Sequence, residues 1–318
     1  LRRRQRQMCI RDRLLVISLV SSSLTTKEKE ETQMTGLNSL LYGSDELTPT
    51  VLEDGDSTEK IVKLTVDGTI ASGGSSGLFA SEGYNHENFM EQLKAIQEDK
   101  SVKGIFLEVN SPGGGVYESA EIAKTLKDIR TDRKIPMYVS MKNTAASGGY
   151  YISAQADKIF ATDETVTGSI GVIMSGLNYS GLLEKLGVED TTVKSGALKD
   201  VGSSTRPPTK EDQEVLQAYI NSAYNRFVKV VSEGRHKTES EVKQIADGRI
   251  YDGAQAKEIG LVDEIAYPED ALKAMRKEQK LENAQLVEYS ASSTGFANTW
   301  LGSKLAQFQG LKASETNQ

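Results

Sequence analysis

Histidine and cysteine are nearly missing from this chain, which has two of the first and one of the second in 318 residues. The single Cys9 excludes intramolecular disulfides and cysteine-based zinc sites. His86 lies in a polar Gly-Tyr-Asn-His-Glu-Asn stretch and His236 in Gly-Arg-His-Lys-Thr, so both read as solvated surface residues, and a Ser-His-Asp triad has weak support. Positive charge is also scarce. With 38 Lys and Arg against 45 Asp and Glu, a net charge of −7, and basic clustering only at the N-terminus, nucleic acid is set aside as a partner. The Gly-rich segments contain neither the Gly-Lys-Ser/Thr of a nucleotide loop nor Gly-x-Gly-x-x-Gly, which argues against a nucleotide cofactor. Long apolar runs are missing too: Leu14-Leu15-Val16-Ile17-Ser18-Leu19-Val20 is far short of the ~20 residues that span a bilayer.

What is present is the composition of a folded globular protein, 37% hydrophobic and 26% charged, long enough for a substantial core. Residues 1–13, LRRRQRQMCIRDR, look like a translated sequencing adaptor, and no structure is built on them. Residues 14–20 read as the remnant of a signal anchor or a signal-peptide core, and 21–59 as a polar linker. Order is expected from the β-branched strand at 61–66. Helical apolar spacing over 87–99, a strand at 104–109, a helix over 116–130 and a strand at 136–141 continue an alternation that implies parallel strands with helices packed on them. A helix at 148–156, strands at 158–161 and 171–174 and a short helix at 182–186 extend it. Thr209, with Asp212 three residues on, opens a long helix over 210–233. Its face of Val215, Leu216, Tyr219, Ile220, Ala223, Phe227, Val230 and Val231 is expected to be core, with a subunit interface as the alternative. A strand at 261–265 and a helix at 268–278 lead to a polar tail, 291–318, where Phe296, Trp300, Leu301, Leu305 and Phe308 form a candidate docking stripe.

Two Gly-rich segments carry the chemistry. Ser111-Pro112-Gly113-Gly114-Gly115 follows a strand and opens a helix, so its unpartnered amides lie at the positive end of a helix dipole and suit an oxyanion. Ser147, in Ala145-Ala146-Ser147-Gly148-Gly149-Tyr150-Tyr151, sits at a second such junction with its hydroxyl uncrowded, as a nucleophile requires. Gly114 and Gly148 are the candidate amide donors. Either Gly run alone is also what a tight turn looks like. With histidine scarce, Lys199 is the alternative base. It works only when neutral, so burial among its small and apolar neighbours must lower a pKa that is ordinarily about 10.4, with Asp200 pointing away in an extended segment.

The set Ser111-Pro112-Gly113-Gly114, Ala145 to Tyr151, Thr167-Gly168-Ser169-Ile170-Gly171-Val172, Lys199, Ala246-Asp247-Gly248-Arg249 and Gly260-Leu261-Val262-Asp263 resembles the signal peptide peptidase A family, peptidase family S49, in its short single-copy form. The resemblance covers about residues 60–288, within a catalytic domain placed at 60–290. It implies an α/β fold of ClpP/crotonase type built from repeated β-β-α and βαβ units, and a serine peptidase that needs no cofactor or metal. It also implies a Ser-Lys dyad of Ser147 and Lys199, with Ser169 orienting the lysine. By the same resemblance the substrates are signal peptides left in the membrane after secretion. The enzyme would be a ring-like homo-oligomer in which serine and lysine come from neighbouring subunits, anchored in the cell membrane with its catalytic domain on the extracytoplasmic side. Ala145, Val172 and Ile173 are candidate linings of small apolar subsites. Two alternatives keep the scaffold: an acyl-CoA enzyme of crotonase type, and a non-catalytic ring-forming module.

Overall fold

The computed structural model describes residues 47–72 and 83–291, with one compact body running from Thr50 to Tyr289. Its frame is a sheet in the order β1-β9-β2-β3-β4-β5-β8, formed by β1 (Leu47–Glu53), β2 (Asp56–Asp67), β3 (Val102–Ser111), β4 (Met137–Ala146), β5 (Lys158–Ala161), β8 (Glu264–Ile265) and β9 (Ala284–Ala291). A short β6 (Val166–Gly168) joins the far end of β4, and β7 (Ile250–Tyr251) pairs antiparallel with β6.

The β2, β3 and β4 pairings are parallel, and the first helices are the crossovers between these strands: α1 (His86–Glu98) and α2 (Val116–Arg133). Successive right-handed crossovers place both helices on one face of the sheet. There Phe89, Leu93 and Ile96 of α1 and Ile122, Leu126 and Ile129 of α2 are buried with the strand residues Val62, Leu64, Leu107 and Val139. The opposite face is covered by α8 (Pro268–Glu278), whose Ala271 and Met275 pack on Ile61, Phe106, Tyr138 and Phe160. Burial on both faces explains why Gly104-Ile105-Phe106-Leu107 reads as a continuous apolar run instead of an alternation.

In chain order between α2 and α8 come α3 (Gly148–Ser153), α4 (Ser180–Lys185), α5 (Lys210–Gly234), α6 (Glu239–Ile245) and α7 (Gly253–Glu258). The capping box expected at Thr209 and Asp212 is formed, with both reciprocal bonds present. Only the C-terminal half of α5 enters the core, through Ala223, Phe227, Val228 and Val231, while Val215 and Tyr219 are exposed. The core face expected over the whole helix is therefore corrected: the amphipathic stripe is continuous, but its first half has no apolar layer on it among the described residues.

Three further expectations change. Part of the expected linker is sheet, because β1 and the start of β2 fall inside 21–59. Their residues are mostly exposed, so no apolar period marked them. Residues 171–174 form no strand. Ile173 is 87% exposed, and the neighbouring pairing ends at Gly168. His86 is not a solvated residue: it is 7% exposed, with Nδ1 2.6 Å from the Tyr84 hydroxyl and Nε2 2.8 Å from Glu121. Residues 1–20 and the stripe from Phe296 to Phe308 lie outside the described residues.

Candidate active site

Strands β3 and β4 are neighbours, and Ser111 is the register partner of Ala145. Their strand-to-helix turns therefore emerge side by side at the carboxyl end of the sheet, where open parallel sheets bind ligands. The first turn, Pro112 to Gly115, leads into α2, and the second is Ser147 itself, leading into α3. Ser147 has φ 52° and ψ −119°, an unfavourable conformation for a residue with a side chain, as at the sharp elbows that present nucleophilic serines. Surrounding structure holds it there. The Ser147 amide donates to the Gly168 carbonyl at 2.9 Å, Ser153 Oγ donates to the Gly149 carbonyl at 2.7 Å, and the buried Tyr150 hydroxyl donates to the Leu261 carbonyl at 2.9 Å.

Glycine is required where the two turns meet. Gly113 has φ 97°, and a Cβ there would stand 2.5 Å from the Gly148 amide nitrogen and 2.9 Å from Ser147 Cβ. A Cβ on Gly148 would meet Gly113 Cα and the Gly114 nitrogen, each at 3.1 Å. The Gly114 and Gly148 amides are thus close neighbours beside Ser147. Ile70 fixes the first of them by bracketing it. Its amide donates to the Gly113 carbonyl at 2.9 Å and its carbonyl accepts from the Gly115 amide at 2.8 Å, which turns the Gly114 amide outward. Among the described residues neither the Gly114 nor the Gly148 amide is given to a backbone acceptor. Two free donors flanking a strained serine can stabilise the oxyanion of a tetrahedral intermediate.

The third turn follows β6. Gly168 is the register partner of Ala146, so Ser147 and Ser169 each follow directly on the paired ends of neighbouring strands. Ser169 has φ 49° and donates its amide to the Arg249 carbonyl at 2.8 Å, which ties it to the Asp247-Gly248-Arg249 segment. Lys199 lies elsewhere. It sits in an exposed turn over 197–202, and among the described residues no hydrogen bond joins it to Ser147 or Ser169. The expected burial is absent within one chain. Nor is Asp200 in an extended segment pointing away: it belongs to the same turn and accepts from Lys194 and Arg206. Among the candidate subsite residues, Ala145 is fully buried, with its carbonyl accepting from Thr167 Oγ1 at 2.7 Å, so it lines no open subsite. Val172 is half-buried, and Ile173 projects outward from the same segment.

Similarity to known proteins follows the same segments. The Clp protease profile matches residues 80–166, and the profile of peptidase family S49 matches residues 129–282. A protein of Enterococcus faecium that bears the name signal peptide peptidase SppA is 59% identical over 308 residues, which is 96% of this chain and 89% of that one. The chain belongs to peptidase family S49. Other relatives include a protease of Methanocaldococcus jannaschii, 43% identical over 213 residues, 67% of this chain and 68% of that one. Protease 4 of Haemophilus influenzae is 36% identical over 232 residues, 72% of this chain and 37% of that one. The S49 chain is a serine peptidase with an α/β fold of ClpP/crotonase type. That assignment removes the acyl-CoA and non-catalytic alternatives.

Sequence reasoning missed the residues that hold this S49 site in shape. Glu118, in the first turn of α2, accepts from the Ser72 amide at 3.1 Å and its hydroxyl at 2.6 Å, securing the segment that brackets Gly114. Hydrogen bonding from Ser72 keeps the Glu118 carboxyl below its ordinary pKa. Asn110 Oδ1 accepts from the Thr144 amide at 3.3 Å, linking β3 to β4 just before both turns. Nothing in spacing distinguishes these polar residues from surface ones.

Proposed function

We propose that this S49 peptidase hydrolyses signal peptides left in the membrane after secretion, and other small apolar peptides, through a dyad of Ser147 and Lys199 drawn from neighbouring copies of the chain. The lysine takes the Ser147 proton, the serine attacks the peptide carbonyl, and the oxyanion is held by the Gly114 and Gly148 amides. Collapse expels the amine, which takes the proton back from the lysine, and water hydrolyses the acyl-enzyme by the same route in reverse. Ser169, which follows the strand end paired with the one before Ser147, is the group that orients the lysine. Val172 and Ile173 face apolar substrate side chains.

The observation that carries the shared dyad is the exposure of Lys199 on an arm, 171–211, in which no residue is buried within the single chain. Along it Ile173, Met174, Leu177, Leu182 and Leu186 are exposed, and Val193 is 97% exposed. A surface of that kind is what a self-associating ring would cover. No helix among the described residues is long and apolar enough to cross a membrane. We place the anchor in the N-terminal segment and the catalytic body on the extracytoplasmic side of the cell membrane.

Complementation tests this reading. Ser147→Ala and Lys199→Ala should each abolish peptide hydrolysis while leaving the circular dichroism spectrum intact. Co-expressed in equal amounts, the two inactive variants should recover about a quarter of wild-type activity, because a random ring pairs an intact serine with an intact neighbouring lysine at ~1 site in 4. A dyad formed within one chain recovers nothing. Turnover retained in either single variant would remove that residue from the mechanism.

A further inference from the structure

We propose that Arg206 is a positioning residue for catalysis, fixing the turn that carries Lys199 by bridging Asp200 to the first turn of α5. This rests on the reading of Lys199 as the general base. The guanidinium forks onto Asp200, with Nε 2.9 Å from Oδ2 and Nη2 2.9 Å from Oδ1. It reaches Asp212 at the same time, Nη1 to Oδ2 at 2.5 Å and Nη2 to Oδ1 at 2.9 Å. Asp212 is a firm anchor: its side chain is 2% exposed, and its Oδ2 also accepts from the Thr209 amide at 2.8 Å within the capping box. One planar cation thus spans from the residue next to Lys199 to the end of a 25-residue helix.

The arm needs such a device. With no buried apolar side chain between 171 and 211, hydrophobic packing within the chain cannot set its shape, and polar bonds must. Other bonds brace the arm internally: the Tyr179 amide to the Ser204 carbonyl at 2.6 Å, Asn178 Nδ2 to the Arg206 carbonyl at 2.6 Å, and Thr205 Oγ1 to Asp190 at 2.6 Å. Arg206 ties that braced unit to α5, whose other half is in the core.

Charge gives Arg206 a second effect. The charged groups about the turn are Asp190, Lys194, Asp200 and Arg206 on the arm, with Lys210, Glu211 and Asp212 in the first turn of α5. A bare Asp200 carboxylate next to Lys199 would favour the ammonium, which cannot accept the serine proton. Arg206, and Lys194 at 2.6 Å, neutralise that carboxylate. Hydrogen bonds from Arg206 first and Lys194 second hold Asp200 well below the usual carboxylate range, so the network stays ionised while the enzyme works.

The test uses the full chain and steady-state peptide hydrolysis across pH. Arg206→Ala should lower kcat about 10²-fold with KM little changed, the cost of a catalytic group displaced by roughly an ångström, and should move the acid limb of the pH–rate profile upward. Arg206→Lys should return the limb to its wild-type position, because it restores the charge. Its kcat should stay low, because an ammonium cannot fork onto two carboxylates. Added guanidinium ion should rescue part of the Arg206→Ala turnover. If Arg206→Ala does not fold, Arg206→Lys carries the test by combining reduced kcat with an unshifted limb. Wild-type kcat and profile in the substituted chains overturn the inference, and so does a loss that neither shifts the limb nor responds to guanidinium. Lys199→Ala keeps the two readings apart: turnover retained there removes the base itself, whereas an inert Lys199→Ala beside an unperturbed Arg206→Ala removes only the role of Arg206.

Discussion

Replacing Gly113 by alanine adds one carbon atom at the place where the two strand-to-helix turns touch. That atom would stand 2.5 Å from the Gly148 amide nitrogen, where ordinary contact begins at 3.4 Å, so the amide or the loop must retreat by roughly an ångström. The φ of 97° adds its own penalty, since a side chain in left-handed conformations costs about 1–2 kcal/mol. Overpacking adds about 1–3 kcal/mol more, giving a visible fall in the thermal midpoint of a chain that still folds. Catalysis should suffer separately. Displacing one oxyanion donor costs about 2.7–4 kcal/mol of barrier, or ~10²–10³ in kcat, with little change in KM because the donor acts in the transition state. The assay is steady-state hydrolysis of a fluorogenic peptide beside thermal unfolding of the same preparation. A Gly113→Ala enzyme with wild-type kcat would refute the claim that the Gly148 amide serves the oxyanion from this position.

Two further outcomes follow from bonds away from the reacting atoms. Tyr150→Phe leaves the Leu261 carbonyl without its donor in the core, which should cost about 1–3 kcal/mol. Thermal unfolding should show it as a drop of about 2–4 °C per kcal/mol, and an unchanged midpoint would mean that α3 is held by packing alone. At Asp99 burial raises the pKa, but hydrogen bonds from Ser101, Tyr289 and Lys60 outweigh it and hold the carboxyl well below the usual range. A group depressed in the folded state stabilises above its unfolded pKa of about 3.9 and loses that contribution as pH falls toward the folded value. The midpoint difference between wild type and Asp99→Asn should therefore be constant from neutral pH to about pH 5 and shrink in more acidic solution. A difference that does not depend on acid would refute the linkage.

The parallel sheet and the two junctions at Gly113 and Ser147 were legible because short apolar runs, helical spacing and Gly punctuation coincide there. Each of those signals is local. What escaped was decided by contacts distant in sequence. His86 looks solvated among polar neighbours, yet Glu121, 35 residues on, and Tyr84 enclose it. Asp56 to Glu59 resemble a linker because nothing apolar marks the extension of β2, whose pairing with β9 begins at Asp56 and Ala284. Lys199 has small neighbours that suggest burial, but whether a chain segment folds inward or reaches outward depends on what lies beneath it. Arg206 was invisible for a related reason, since its carboxylates are recognisable as partners only once the turn has brought Asp200 and Asp212 to the same guanidinium.

The arm that carries Lys199 has a thermodynamic consequence. Heat capacity and denaturant sensitivity report newly wetted apolar surface, and this arm has little of it hidden within the chain. Its detachment from an isolated subunit would hardly register in a calorimeter or a urea titration, which would report the sheet and its helices instead. Amide hydrogen exchange would detect it, since a segment held by a few polar bonds can open long before the body melts. A preparation judged fully native by its melting curve could therefore already have lost the geometry around Lys199.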